Sequence, residues 1–315
     1  MPADGCVVGG EIPGAPGAHA FSLSGATPSA IPVLIAVPHA GRRYPAPLLE
    51  RMRDPAHAAL RLEDRHVDRV AEAAALATGA MLLTAQAPRA MIDLNRAADD
   101  VDWEMFGRRN VDMGSYAPGR RARTGLGLIP RRVPGLGELW KRGHDEAELA
   151  ARIAGIHEPY HVELARQLAA LRQRWGAALL LDLHSMPPLV ARAGQAPARL
   201  VLGDRFGASC HGSLVASAFG YFAETGQAAA HNRPYAGGYV LERHAAPGKG
   251  IHAMQLEIDR SCYLDSRLAE PGPGLGATIE LMIGLVRRLA GDVAAMGQAV
   301  RRRPDSPAGW AEAAE

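Results

Sequence analysis

Residues 177–188, AALLLDLHSMPP, set an apolar run of strand length (Ala177 to Leu181) directly ahead of Asp182, His184 and Ser185, and two prolines end it. A hydrophobic run bounded this way reads as a buried strand of an α/β sheet. The polar residues then fall where the strand leaves the core. Ligand sites in open α/β sheets lie just beyond the carboxyl ends of strands. His184 is therefore a candidate metal ligand, and other polar clusters are expected to converge on it.

Working outward, Asp145 to Trp175 is helical in pattern, with Leu164, Leu168 and Leu171 on an apolar face. Pro159 is expected to break it in two, and Gly176 to close it before the strand. Residues 97–143 carry little periodicity and much Gly, Pro and Arg; they read as a long irregular excursion, a mobile lid or a wall of the site. Ile31 to Val37 is a second buried strand, ending at Pro38-His39-Ala40-Gly41 and then Arg42 and Arg43. The proline and glycine fix that turn and allow close approach by another group. A helix is expected over Glu63 to Thr78, closed by Gly79, with Glu63, Asp64, His66 and Asp68 at its start. Ala80 to Ala85 reads as a strand, and Ala90 to Leu94 as another or its continuation, leading into Asn95 and Arg96. Downstream come a strand over Leu200 to Asp204, a helix over Ser209 to Phe219 and a glycine-bearing loop at the site, Asn232 to Tyr239. A strand over Ile251 to Ile258 and a helix over Ala277 to Met296 complete the pattern. The alternation gives an α/β fold with a mixed β-sheet flanked by helices, as one domain over residues 31–300. Residues 1–30 read as a loose leader and residues 301–315 as a polar tail.

Composition narrows the function. A net charge of +2, with 48% hydrophobic and 22% charged residues, argues against partners recruited by bulk charge, nucleic acid and membrane surface included. Scattered arginines and short pairs such as Arg42–Arg43 suit a small anionic molecule. Three cysteines without a CxxC motif suggest a reducing compartment. With no signal-peptide pattern and no apolar run of membrane-spanning length, a cytoplasmic location is expected.

His39, Asp64 and His184 together supply two imidazoles and a carboxylate, a set that suits a catalytic zinc with a position left for water. Each alone reads more readily as a satisfied polar residue at an element end; two histidines each closing an apolar strand shift the balance towards a ligand set. Alternation along MQLEIDR puts Gln255, Glu257 and Asp259 on one face and Met254, Leu256 and Ile258 on the other. Glu257 is then either on the solvated face of an edge strand or a general base beside an activated water. Asn95 and Arg96 suit an anion clamp, or Arg96 pairs structurally with Asp93. Arg42, Arg43 and Arg89 are further candidates to hold an anion. A Ser185–His184–Asp182 triad is rejected: neighbours on a strand point to opposite faces, and no GxSxG elbow is present.

The motifs PHAGRRYP, LEDRHVDRV, PRAMIDLNR, LLLDLHSMP and NRPYAGGYVLERHAAPGKGIHAMQLEIDRSCYLD run in one order from about residue 31 to 265. In this the chain resembles the N-formylglutamate amidohydrolases (deformylases), distantly similar to the zinc carboxypeptidases and aspartoacylases. The resemblance implies a phosphorylase/hydrolase-like, zinc-carboxypeptidase-like fold and one zinc ion. His39, His184 and an acid from Glu63–Asp64, with Asp64 favoured, would be its ligands. Glu257 would match the general base, and Asn95–Arg96 the pair that binds the carboxylate of the departing amino acid. Arg42, Arg43 or Arg89 would meet a side-chain carboxylate. The implied reaction hydrolyses the formyl amide of N-formyl-L-glutamate to formate and glutamate, a step of amino-acid catabolism. The alternatives are the same chemistry on another N-acyl amino acid or a peptide, or a non-catalytic binding protein on this fold.

Overall fold

The computed structural model describes residues 6–107, 119–190 and 197–302. In chain order the first elements are β1 (Val7–Gly9), β2 (Phe21–Ser24), β3 (Val33–Val37), α1 (Ala46–Arg51), α2 (Pro55–Leu62), α3 (Val67–Thr78) and β4 (Met81–Ala85). Next come α4 (Arg120–Arg123), β5 (Arg132–Val133), β6 (Gly137–Glu138), α5 (Glu146–Arg152) and α6 (Glu158–Trp175). The remainder is β7 (Ala178–Met186), β8 (Leu200–Gly203), α7 (Gly212–Glu224), β9 (Ala229–His231), α8 (Tyr239–His244), β10 (Ile251–Asp259) and α9 (Leu275–Arg302).

Eight strands form one mixed sheet in the order β1-β2-β4-β3-β7-β10-β8-β9. The central four, β4, β3, β7 and β10, run parallel, while β2 pairs antiparallel with β4 and β8 with β10. Strands buried on both faces must be apolar on both, which is why VLIAV and ALLL carry no polar alternation. One face packs against Tyr160, Leu164 and Leu168 of α6; the other packs against α3, α7 and Val286 and Leu289 of α9. The expected mixed sheet between helices is what forms.

Several boundaries differ, each for a physical reason. Residues 7–24 are no loose leader: β1 and β2 extend the sheet, and Ile12 and Ala20 are fully buried. Ala90 to Leu94 is not a strand, because its polar groups bond outside any ladder. The Asp93 amide donates to the Leu128 carbonyl, and the Leu94 carbonyl is held by His161. Pro159 does not break the α5–α6 helix. It occupies the first turn of α6, after a π-helical segment (Ile153–His157) that joins the two pieces. Gly79 and Gly176 close α3 and α6 in the left-handed conformation, as their positions suggest. Within the 97–143 excursion, Leu128, Ile129, Leu139 and Trp140 are buried, so its described part belongs to the core; residues 108–118 lie outside the described residues. The last helix continues to Arg302, and the rest of the expected tail lies outside them too. Among the described residues, no helix is long and apolar enough to cross a membrane.

Candidate active site

The parallel strands deliver their carboxyl ends to one side, and a cleft of about 300 Å³ opens there. His39 follows β3. Asp64 sits between α2 and α3, with its amide donating to the His39 carbonyl at 2.9 Å. His184 lies within β7, which runs on to Met186, so the polar residues belong to the strand itself rather than to the turn beyond it.

Three donor atoms meet. His184 Nδ1 lies 3.0 Å from Asp64 Oδ2 and 3.1 Å from His39 Nδ1, and His39 Nδ1 lies 3.5 Å from Asp64 Oδ2. The opposite ring nitrogens are each taken by a carboxylate: His39 Nε2 meets Asp93 at 2.7 Å and His184 Nε2 meets Asp182 at 2.9 Å. All of these side chains are buried. An imidazole whose outer nitrogen is held by a carboxylate has its ring fixed with the inner nitrogen aimed at the common point, the arrangement of metal-ligating histidines. Burial alone would raise Asp64, but hydrogen bonds from His184 and His39 hold it well below the ordinary carboxylate range. Burial would likewise depress His184, yet Asp182, Asp64 and Glu257 together hold its proton affinity well above normal. So much negative charge around a buried point attracts a cation. His39, Asp64 and His184 could hold a metal ion. Glu63 points elsewhere, accepting from Arg65 at 3.0 Å.

Glu257 stands beside His184, since β10 pairs with β7 in that register. As β10 is an interior strand, the solvated-edge reading of Glu257 is excluded. Met254, Leu256 and Ile258 face the core, as alternation requires, and Gln255 and Glu257 line the cleft. Burial pushes the Glu257 carboxyl up to about 7; Asp64 and Asp182 reinforce this and His184 and Arg89 oppose it. The Gln255 amide donates to it at 2.9 Å.

Asn95, Arg89 and Arg96 also line the cleft. Asn95 is fixed from both sides: its Nδ2 donates to Gln255 at 3.3 Å and its Oδ1 accepts from the Val240 amide at 2.9 Å. Arg96 donates to the carbonyls of Leu126 and Asn95, and Arg89 forks onto Asp93. Arg42 and Arg43 are not brought to the site. Arg42 forks onto Asp68, whose carboxylate is nearer than the cleft, and Arg43 meets Gln86. Ser185 donates to Asp64 Oδ1 at 3.1 Å rather than to His184, so its hydroxyl supports the cluster instead of forming a triad.

Arg61, Arg121 and Arg260, which sequence reasoning missed, complete the wall together with Tyr235 of the expected glycine-bearing loop. Arg260 is buried, donating to Ser185 Oγ at 3.1 Å and to the Leu60 carbonyl at 2.9 Å, with Asp64 Oδ1 at 3.5 Å. Its signal was available, as it closes the same strand as Glu257. The loop around Pro234 to Gly238 lies at the cleft, as its glycines suggested; a side chain on Gly238 would collide with Asn95.

Comparison with known proteins gives one consistent result. Residues 31–264 match the family model described as N-formylglutamate amidohydrolase. The chain is 31% identical over 240 residues to an N-formylglutamate deformylase of Pseudomonas putida, covering 75% of this chain and 82% of that one. A deformylase of Pseudomonas aeruginosa is 31% identical over 246 residues, covering 75% and 84%. A solved N-formylglutamate amidohydrolase of Ralstonia eutropha JMP134 superposes with a TM-score of 0.76 at 31% identity, covering 90% of this chain and 99% of that one. A gene product of Agrobacterium tumefaciens shares the fold at a TM-score of 0.61 and 17% identity, covering 89% and 96%.

Proposed function

This chain belongs to the N-formylglutamate amidohydrolase family, and from that premise we propose that it is a zinc-dependent amidohydrolase converting N-formyl-L-glutamate and water to formate and L-glutamate. The observation that carries this reading is the meeting of His39 Nδ1, His184 Nδ1 and the Asp64 carboxylate, with Glu257 on the adjoining strand. Two imidazoles and one carboxylate are the donor set of catalytic zinc sites, which supports zinc over harder, all-oxygen ions. Zinc held by these three residues would polarise the formyl carbonyl and make a nearby water more acidic.

The chain's own groups supply the rest. Glu257 takes the proton of the attacking water and delivers it to the amide nitrogen as the C–N bond breaks, releasing the amine of glutamate. Burial raises this carboxyl above the ordinary range, which strengthens it as a base for that double duty. Arg96 and Asn95, held rigid by their own hydrogen bonds, receive the α-carboxylate, and Arg89 adds positive charge behind them. The action takes place in a soluble, small-molecule setting, as the composition suggests; we place it in the cytoplasm.

Metal analysis of the purified protein, combined with formate release from N-formylglutamate, tests this directly. One zinc per chain and release of formate are expected, with faster turnover than on N-acetylglutamate. Glu257→Gln should retain the metal and lose roughly 10²–10⁴-fold in kcat. His184→Ala should lose metal and activity together. Full zinc occupancy in His184→Ala would refute the ligand assignment, and undiminished turnover in Glu257→Gln would refute the base.

A further inference from the structure

Five arginines line the cleft, and they differ in what already engages them. Arg89 is forked onto Asp93, Arg96 is tied to two backbone carbonyls, and Arg260 is spent on Ser185 and the backbone beside Asp64. Arg61, from α2, and Arg121, from α4, make no side-chain hydrogen bond or ion pair with any described residue. Both are exposed at the cleft. The carboxylates lining the cleft itself are Asp64 and Glu257, both buried. The cleft's wall thus carries, from two separate elements, two guanidiniums that no described carboxylate engages. Arg121 also borders an adjoining cavity of about 450 Å³, shared with Asn95 and Arg96 and with the acids Asp99, Asp100 and Glu242, which lie on the side away from Asp64 and Glu257. Its charge is felt at Arg96, which burial first and Arg121 among the nearby cations then disfavour in its charged form.

A monocarboxylate would satisfy the inner pole formed by Asn95 and Arg96 and leave the outer pair without a counterion. We propose that Arg61 and Arg121 receive the second carboxylate of the substrate, and that they select a dicarboxylic N-formyl amino acid over one with a neutral side chain. This rests on the functional reading above and deepens it. It also moves the specificity role from Arg42 and Arg43, which lie outside the cleft, to residues that no short motif marks. Guanidinium–carboxylate hydrogen bonds are directional and charge-assisted, so an amide of the same shape cannot replace the carboxylate on this wall.

N-Formylglutamine is that amide, and it isolates the charge. The ratio of kcat/KM for N-formylglutamate to that for N-formylglutamine should fall by about tenfold or more in the Arg61→Gln/Arg121→Gln double variant. The fall should come mainly from KM for the dicarboxylate, with zinc content unchanged. Arg43→Gln, at an exposed arginine outside the cleft, serves as control and should keep the wild-type ratio. A smaller change in the double variant overturns the inference, as does a loss equal for both substrates. If wild type prefers N-formylglutamate and the double variant keeps that preference, the inference alone fails. If wild type releases formate from neither substrate, the functional reading fails and takes the inference with it.

Discussion

Asp93 and Asp182 do not belong to the trio of donors, yet each fixes one imidazole by taking its far nitrogen. Burial would raise Asp93, but Arg89, Arg96 and His39 keep it well below the usual carboxylate range, so it stays an acceptor. Asp182→Asn should preserve the hydrogen bond while removing the charge. The expected result is a zinc affinity weakened by roughly 10–100-fold, measured by chelator competition, with the fold intact. Unchanged affinity would mean that Asp182 serves packing alone. At this scale the sequence was partly legible. His39, His184 and Asp64 announce themselves because a polar residue closing an apolar element stands out. The Arg96–Asp93 pair was offered and forms, at 3.9 Å; the other partners of Asp93 and that of Arg42 were not legible, because an ion pair is chosen by distance in space. Arg42 found Asp68, and Asp93 found Arg89 and His39.

Between elements, the site depends on loops meeting end to end. Gly41 ends the turn after β3, and a side chain there would run into the backbone carbonyl of Ala87 beyond β4. Neither backbone can retreat without moving His39 or Arg89. Gly41→Ala should therefore destabilise the fold by about 1–3 kcal/mol, read as a lower urea midpoint, and weaken metal retention. A variant with wild-type stability and full metal would show that the two loops can separate. The segment after β4 shows why apolar content alone misleads. Ala90 to Leu94 has the composition of a strand, but α6 and the π-helical turn before it supply the partners here: His161 holds the Leu94 carbonyl at 3.0 Å and His157 that of Arg96 at 2.9 Å. His244 of α8 completes this support through His161, at 2.9 Å. Whether a carbonyl meets a neighbouring strand or an imidazole from a helix more than sixty residues away is not written in the local sequence.

Across the whole molecule, several imidazoles are buried as neutral groups. Burial pushes His144 and His244 down to about 3 and His252 down to about 4, while His157 and His161 are also lowered. The unfolded chain protonates these rings near pH 6.5 and the folded chain does not, so stability is full above that pH and is lost as pH falls towards 4. His144, His244 and His252 each contribute a slope of about 1.4 kcal/mol per pH unit across that window; His184, with raised affinity, opposes them singly. The urea midpoint of the chelator-treated protein should fall between pH 7 and pH 5, and replacing His252, whose Nδ1 has no hydrogen-bond partner among the described residues, by glutamine (His252→Gln) should flatten that fall. An identical slope in the variant would refute the assignment. The sequence by itself determined the alternating pattern, the buried parallel strands and the identity of the residues at their ends, because periodicity and burial are local properties of a chain. Only the tertiary structure decided which acid faces the two histidines, that Glu257 lies on an interior strand, and which arginines remain open to an anion. Those outcomes depend on register and on competition between charges far apart in sequence, and neither exists until the sheet has closed.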